Sequence, residues 1–146
     1  MKKEKDQITL RSVNKSDLKF LFEILEERED WINISHKKMP TFEQHKKFVA
    51  SKPYSKWYII LQGIKKVGTI YLSKQNEIGL FLKKESDIVN IKEVVLKLII
   101  EKNPKKRYLA NVNPKNKELI KFFKKNNFKL LQHTYELEIM NEISNG

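Results

Sequence analysis

The stretch Asn113-Pro-Lys-Asn-Lys-Glu-Leu-Ile-Lys-Phe-Phe-Lys-Lys-Asn-Asn127-Phe128 decides the fold. Asn113 reads as a helix cap and Pro114 as the first helical residue, where a missing N–H costs nothing. Leu119, Ile120, Phe122 and Phe123 supply one buried side, and Asn126-Asn127 ends the helix because asparagine tolerates the left-handed conformation. Just before it, Arg107-Tyr-Leu-Ala-Asn-Val112 is a short strand; after it, Phe128 to Met140 alternates as one long or two short closing strands. Further upstream Ile88, Ile91, Val95 and Leu98 follow helical spacing until Asn103-Pro104 stops them. The second half is therefore helix, strand, helix, strand.

The first half reads differently. Gln7 to Val13 alternates with period two, so it is a strand, and Ser16 caps a helix carrying Leu18, Leu21, Phe22 and Leu25 on one face. After Pro40, Thr41-Phe-Glu-Gln44 fits a capping box, opening a helix with Phe42, His45, Phe48 and Val49 on its apolar side. Trp57 to Leu61, Val67 to Leu72 and Glu77 to Leu82 are strands joined by polar turns, hence antiparallel neighbours. The order β-α-α-β-β-β-α-β-α-β, with one further strand if the closing segment splits, predicts a single α/β (α+β) domain over residues 1–146. Its central sheet is mixed and mostly antiparallel, flanked by about four helices.

Composition narrows the function. The 146 residues suit one core. The absence of cysteine excludes disulfide scaffolds, thiolate nucleophiles and cysteine-based metal sites, and fits a reducing cytoplasm. The longest apolar run, Trp57 to Leu61, is far below a membrane span, and no signal peptide is read at the start. The formal charge of +12 would suit a polyanion, yet only Arg11, Arg28 and Arg107 are arginine, which disfavours nucleic acid. A smaller polyanion such as a nucleotide-bearing cofactor remains attractive to that field. Three dispersed histidines without a short-spaced pair predict no metal, and no Gly-x-Ser-x-Gly elbow supports a serine nucleophile.

The segment from Asn116 to Phe128 resembles the late signature of the GCN5-related N-acetyltransferases: an Asn, an aromatic pair six and seven residues on, then a turn residue and Phe. Glu77-Ile-Gly-Leu-Phe-Leu82 is similar to the strand that lies beside the pantetheine arm of acetyl-CoA in that family. Thr41-Phe-Glu-Gln-His45-Lys-Lys-Phe48, leading into a Trp-Tyr-Ile-Ile strand, looks like the branches acetylating nucleotide-linked amino sugars and protein N-termini. The resemblance covers nearly the whole chain. It implies an acetyl-CoA-dependent transfer to a primary amine of an amino sugar or peptide, with no metal and no membrane, and it leaves a homodimer open.

The resemblance also implies roles. Leu80, Phe81, Leu82, Lys83, Val89, Asn90, Ile91, Lys92, Asn116 and Phe123 fall where the cofactor is held, and Glu77 is the candidate general base, acting directly or through water. Trp31 and His36 lie in the segment that would roof the acceptor. Two departures open an alternative. The cofactor loop reads Ser86-Asp-Ile-Val-Asn-Ile91 without a glycine, with Glu85 and Asp87 where phosphates would sit and Lys83, Lys84 or Lys92 to compensate. Phe123 stands where the family often has a tyrosine that protonates the thiolate. The alternative is a GNAT-fold binding or scaffolding module that no longer uses acetyl-CoA.

Overall fold

A computed structural model describes residues 7–28, 39–84 and 90–139. In chain order these form β1 (Ile8–Ser12), a 3-10 turn (Lys15–Asp17), α1 (Leu18–Glu27), α2 (Phe42–Ala50), β2 (Lys56–Gln62), β3 (Lys65–Leu72), β4 (Ile78–Leu82), α3 (Ile91–Lys102) and α4 (Lys117–Lys125). The four strands make one antiparallel sheet in the order β1-β2-β3-β4. Each expected helix and each of the first four expected strands is present.

Register divides the sheet into two faces with separate tasks. Tyr58 lies opposite Ile70, and Ile70 opposite Leu80. Because successive side chains alternate, these residues share one face. That face packs against Ile91, Val95, Leu96 and Ile99 of α3 and Phe122 and Phe123 of α4, all buried in one core. On the other face Ile59 lies opposite Thr69, and Thr69 opposite Phe81. There the helices α1 and α2 form the cover, with Leu21 and Ile24 buried. The result is three layers, helices on both sides of a sheet.

A buried carboxylate fixes how α1 meets the sheet. Asp17 is 0% exposed. Its oxygens take a bidentate pair of bonds from Arg11 of β1 (2.8 and 3.0 Å), one from the Lys66 ammonium of β3 (2.7 Å) and one from the Asn14 amide (2.8 Å). Burial alone would favour the neutral acid, but the Arg11, Lys66 and Asn14 donors outweigh it and hold the pKa at about 2. Asn14, not Ser16, caps this start: its side chain accepts from the Ser16 amide while Asp17 answers from the third position. Ser16 loses the role because the reciprocal partner of a box must stand three residues on, and Asp17 stands three residues after Asn14.

Three further differences concern the second half. Arg107 to Val112 forms no extended ladder; only Leu109 bridges, in parallel, to Glu77. Asn116 rather than Asn113 caps α4, accepting from the Leu119 amide at 3.3 Å, while Asn113 closes the preceding turn. The closing segment makes no strand over its described residues, 128–139. Alternation signals an extended chain, but a strand exists only when a neighbour pairs with it, and none does among the described residues.

Asp17→Asn should cost about 2 kcal/mol or more in chemical denaturation, since two cations then face a neutral amide. The folded pKa lies below the unfolded value of 3.8, so the stabilisation is complete above pH 4 and disappears as pH falls towards about 2. A denaturation series from pH 6 to pH 2, with the variant flat where the wild type slopes, checks this.

Candidate active site

The open end of the sheet is built around Glu77. Leu109 donates its amide to the Asn76 carbonyl (2.9 Å) and accepts from the Ile78 amide (2.8 Å), forming the single parallel bridge. Beyond it, among the described residues, 79–82 and 110–112 share no backbone bond, so the ladder stops and one edge of β4 is left open. The half-buried Glu77 carboxylate spans this point. It accepts from the Asn111 side-chain amide at 2.6 Å and from the Ser73 hydroxyl at 3.0 Å, and the Ser73 oxygen in turn accepts the Glu77 amide at 3.0 Å. Two donors thus hold this side chain, one from the segment after α3 and one from the turn before β4.

Beyond the open edge, α3 begins. Its cap, Asn90, has φ 65° and makes no side-chain cap bond, so the first-turn amides keep their donors for another partner. Asn90 takes the left-handed conformation that a glycine would supply in the loop before it. Ile91 is buried in the core, leaving its backbone at the helix mouth, and Lys92 is half-buried beside it.

The other expected cofactor residues fall into separate settings. Leu80 is buried in the core and Leu82 packs against it. Lys83 reaches back to α1, to Glu27 at 3.0 Å and Glu23 at 3.6 Å. Asn116 has its side-chain oxygen committed to the α4 cap. Phe123 is 6% exposed, its ring set against Phe122 and Phe128 at centroid distances of 5.2 and 4.9 Å. Val89, Trp31 and His36 lie outside the described residues.

A cavity of about 320 Å³ opens on the other face, between α1, α2 and strands β2 to β4. Phe81 is the one expected residue that lines it. Tyr54 and Tyr71 stack with rings 3.7 Å apart and 2° from parallel, and their hydroxyls are hydrogen-bonded to each other. Burial pushes both phenols up, so they stay protonated at neutral pH. Trp57 meets Tyr54 edge-on and donates to the Thr69 hydroxyl at 2.9 Å. The Arg28 guanidinium sits 3.5 Å over the Phe81 ring, a cation–π contact in which burial lowers the pKa of the arginine. At the far wall His45 is 3% exposed with Nε2 donating to the Leu18 carbonyl (3.0 Å); burial keeps the ring neutral and leaves the Nδ1 lone pair without a partner among the described residues.

No family model and no curated protein matches the chain by sequence. Solved structures do match by shape. A domain from Methanocaldococcus jannaschii superposes with TM-score 0.78 at 22% identity, over 89% of this chain and 93% of that one. A spermidine N-acetyltransferase from Vibrio cholerae in complex with CoA and spermine gives 0.75 at 14%, over 92% and 88%. An N-acetyltransferase from Staphylococcus aureus gives 0.66 at 19%, over 84% of each chain. The chain has the GCN5-related N-acetyltransferase fold.

The aromatic cavity was readable in part. Trp57, Tyr71 and Phe81 share a face by strand alternation, and Tyr71 lies directly opposite Gly79. A Cβ on Gly79 would come within 2.1 Å of the Tyr71 ring, so the glycine is the floor on which that ring lies. Arg28 carries no such signal, because its position depends on where α1 ends relative to β4. Gly79→Ala should therefore lift Tyr71 off Tyr54 and cost about 1–3 kcal/mol. Loss of near-ultraviolet tyrosine dichroism together with a lowered Tm checks this.

Proposed function

We propose that the protein is an acyl-CoA-dependent N-acetyltransferase acting on a primary amine, of a nucleotide-linked amino sugar in the first place and of a peptide in the second. The observation that carries this reading is the stopped ladder at Glu77 beside the uncapped start of α3. A thioester arm with a pyrophosphate needs an unpaired strand edge along its pantetheine and free amides at its phosphates. Gly79 to Leu82 offers the first and residues 91–93 the second. Asn90, the last residue before α3, itself stands at positive φ, a conformation that asparagine tolerates in place of glycine.

Acetyl-CoA supplies the activated acyl carbon. The amine nitrogen bonds to that carbon, the carbon–sulfur bond breaks, and the amine proton leaves to a base. Glu77 is held in place by Asn111 and Ser73 and does not line the aromatic cavity, so it takes the proton through water. Phe123 cannot protonate the departing thiolate, and water serves there. The cavity under α1 and α2 receives the acceptor, with Trp57, Tyr54 and Phe81 as stacking surfaces for a sugar or a side chain. A ring-bearing acceptor fits these aromatic surfaces better than an aliphatic polyamine does.

Thiol release from acetyl-CoA, followed with a nucleotide-linked amino sugar, a short peptide and spermidine, tests the proposal. The amino sugar should give turnover above the thioester background, the peptide less, and spermidine least. Glu77→Gln should lower kcat by about 10²–10⁴ with KM for acetyl-CoA little changed. Release at the background rate with every acceptor, from protein that binds no acetyl-CoA, would instead favour the binding module.

A further inference from the structure

Glu77 does not line the aromatic cavity, yet the strand register brings one cavity residue close to it. Positions 77, 79 and 81 alternate onto one face of the sheet, and Phe81 marks that face as the cavity side. On the neighbouring strand Tyr71 lies directly opposite Gly79, and Ser73, whose hydroxyl donates to the Glu77 carboxylate, stands two residues beyond Tyr71. Glu77 is therefore the diagonal neighbour of Tyr71 across the hairpin, a relation that long and aromatic side chains bridge.

The glycine decides where the phenol goes. With no side chain at Gly79, the Tyr71 ring folds across β4, and a Cβ at that position would lie 2.5 Å from the Tyr71 hydroxyl oxygen. The hydroxyl thus stands over position 79, about 7 Å along the strand from position 77 and on the same face. The ionisable groups around it are Tyr54, Arg28 at the end of α1 and Glu77, with His45 on the far wall of the cavity. Burial raises the phenol most; Arg28 and the Tyr54 bond oppose it, and the Glu77 carboxylate adds a further push upward, which places the two groups within each other's field. The phenol accordingly stays a neutral hydroxyl at neutral pH, able to accept one proton while it donates another. Its bond to the Tyr54 hydroxyl uses only one of the two protons that the pair carries.

We infer that the Tyr71 hydroxyl is a further catalytic group, the cavity end of the path by which the acceptor amine delivers its proton to Glu77; this rests on the transfer reaction proposed above. The amine proton passes to the Tyr71 oxygen as the phenolic proton passes to a water, and that water gives one of its own protons to the Glu77 carboxylate. The nitrogen keeps the electron pair that bonds to the acyl carbon. Phenol and water end as they began, and Glu77 carries the proton. A phenylalanine could hold the same ring position and could not do this.

Tyr71→Phe keeps the ring and removes the hydroxyl. With a nucleotide-linked amino sugar as acceptor it should lower kcat about 10²-fold at pH 7 with KM for acetyl-CoA unchanged. The deficit should shrink as pH rises through the pKa of the acceptor amine, because an amine that is already neutral has less need of the path. Combined with Glu77→Gln, the substitution should cost little more than Glu77→Gln alone, since both act on one path. Tyr54→Phe, which breaks the same hydroxyl pair, should fall well short of the Tyr71→Phe loss. Wild-type kcat in Tyr71→Phe overturns the inference, as does a deficit independent of pH. Equal losses in the two tyrosine variants overturn it too, because the hydroxyl pair then only supports the ring, and so do losses at Tyr71 and Glu77 that multiply independently. Absence of turnover in the wild type with every acceptor removes the transfer reaction and the relay with it, whereas wild-type turnover with an undiminished Tyr71→Phe removes the relay alone.

Discussion

The Glu77 carboxylate is the joint on which this molecule depends. A sheet that simply continued from β4 into the segment after α3 would satisfy its backbone and leave no opening. Here the parallel pairing is one bridge long, and the side chain at the bridge holds Asn111 on one side and Ser73 on the other. The two segments are kept together at a point and free beyond it. An unpaired strand edge is costly unless something polar takes its place, so the opening is itself an argument for a ligand with amide groups.

Around that joint the two faces of the sheet divide the labour. One face carries the main core with α3 and α4, which fixes where the α3 amides point. The other carries the aromatic cavity beneath α1 and α2. The Asp17 cluster ties the start of α1 to β1 and β3, which fixes the cavity roof on the sheet. On the cavity face Gly79 leaves the room in which the Tyr71 ring lies, since any side chain there would displace it.

What the sequence disclosed was mostly local. The Thr41–Gln44 box forms as expected, with bonds of 2.9 and 3.1 Å, because both partners lie within one turn. Asn127 ends α4 at φ 72° for the same reason. The Asn14 cap was itself local, with Asp17 three residues on, and was legible in the sequence; what was not legible is that Lys66 of β3 joins Arg11 on the Asp17 carboxylate. Arg28 was missed because a guanidinium over Phe81 is a tertiary event with no periodic trace. Lys83, expected at phosphates, is instead drawn to Glu23 and Glu27 of α1, carboxylates it meets only in the folded chain. The closing alternation was legible as an extended chain, while its pairing depends on a neighbour outside the segment.

Calorimetric titration of acetyl-CoA into the protein, at low and at moderate salt, tests the central claim that this opening holds a thioester cofactor. The account requires a Kd below roughly 100 µM, about −5.5 kcal/mol, that weakens as salt screens the lysine-rich surface. No heat and no thermal stabilisation at millimolar acetyl-CoA would contradict it.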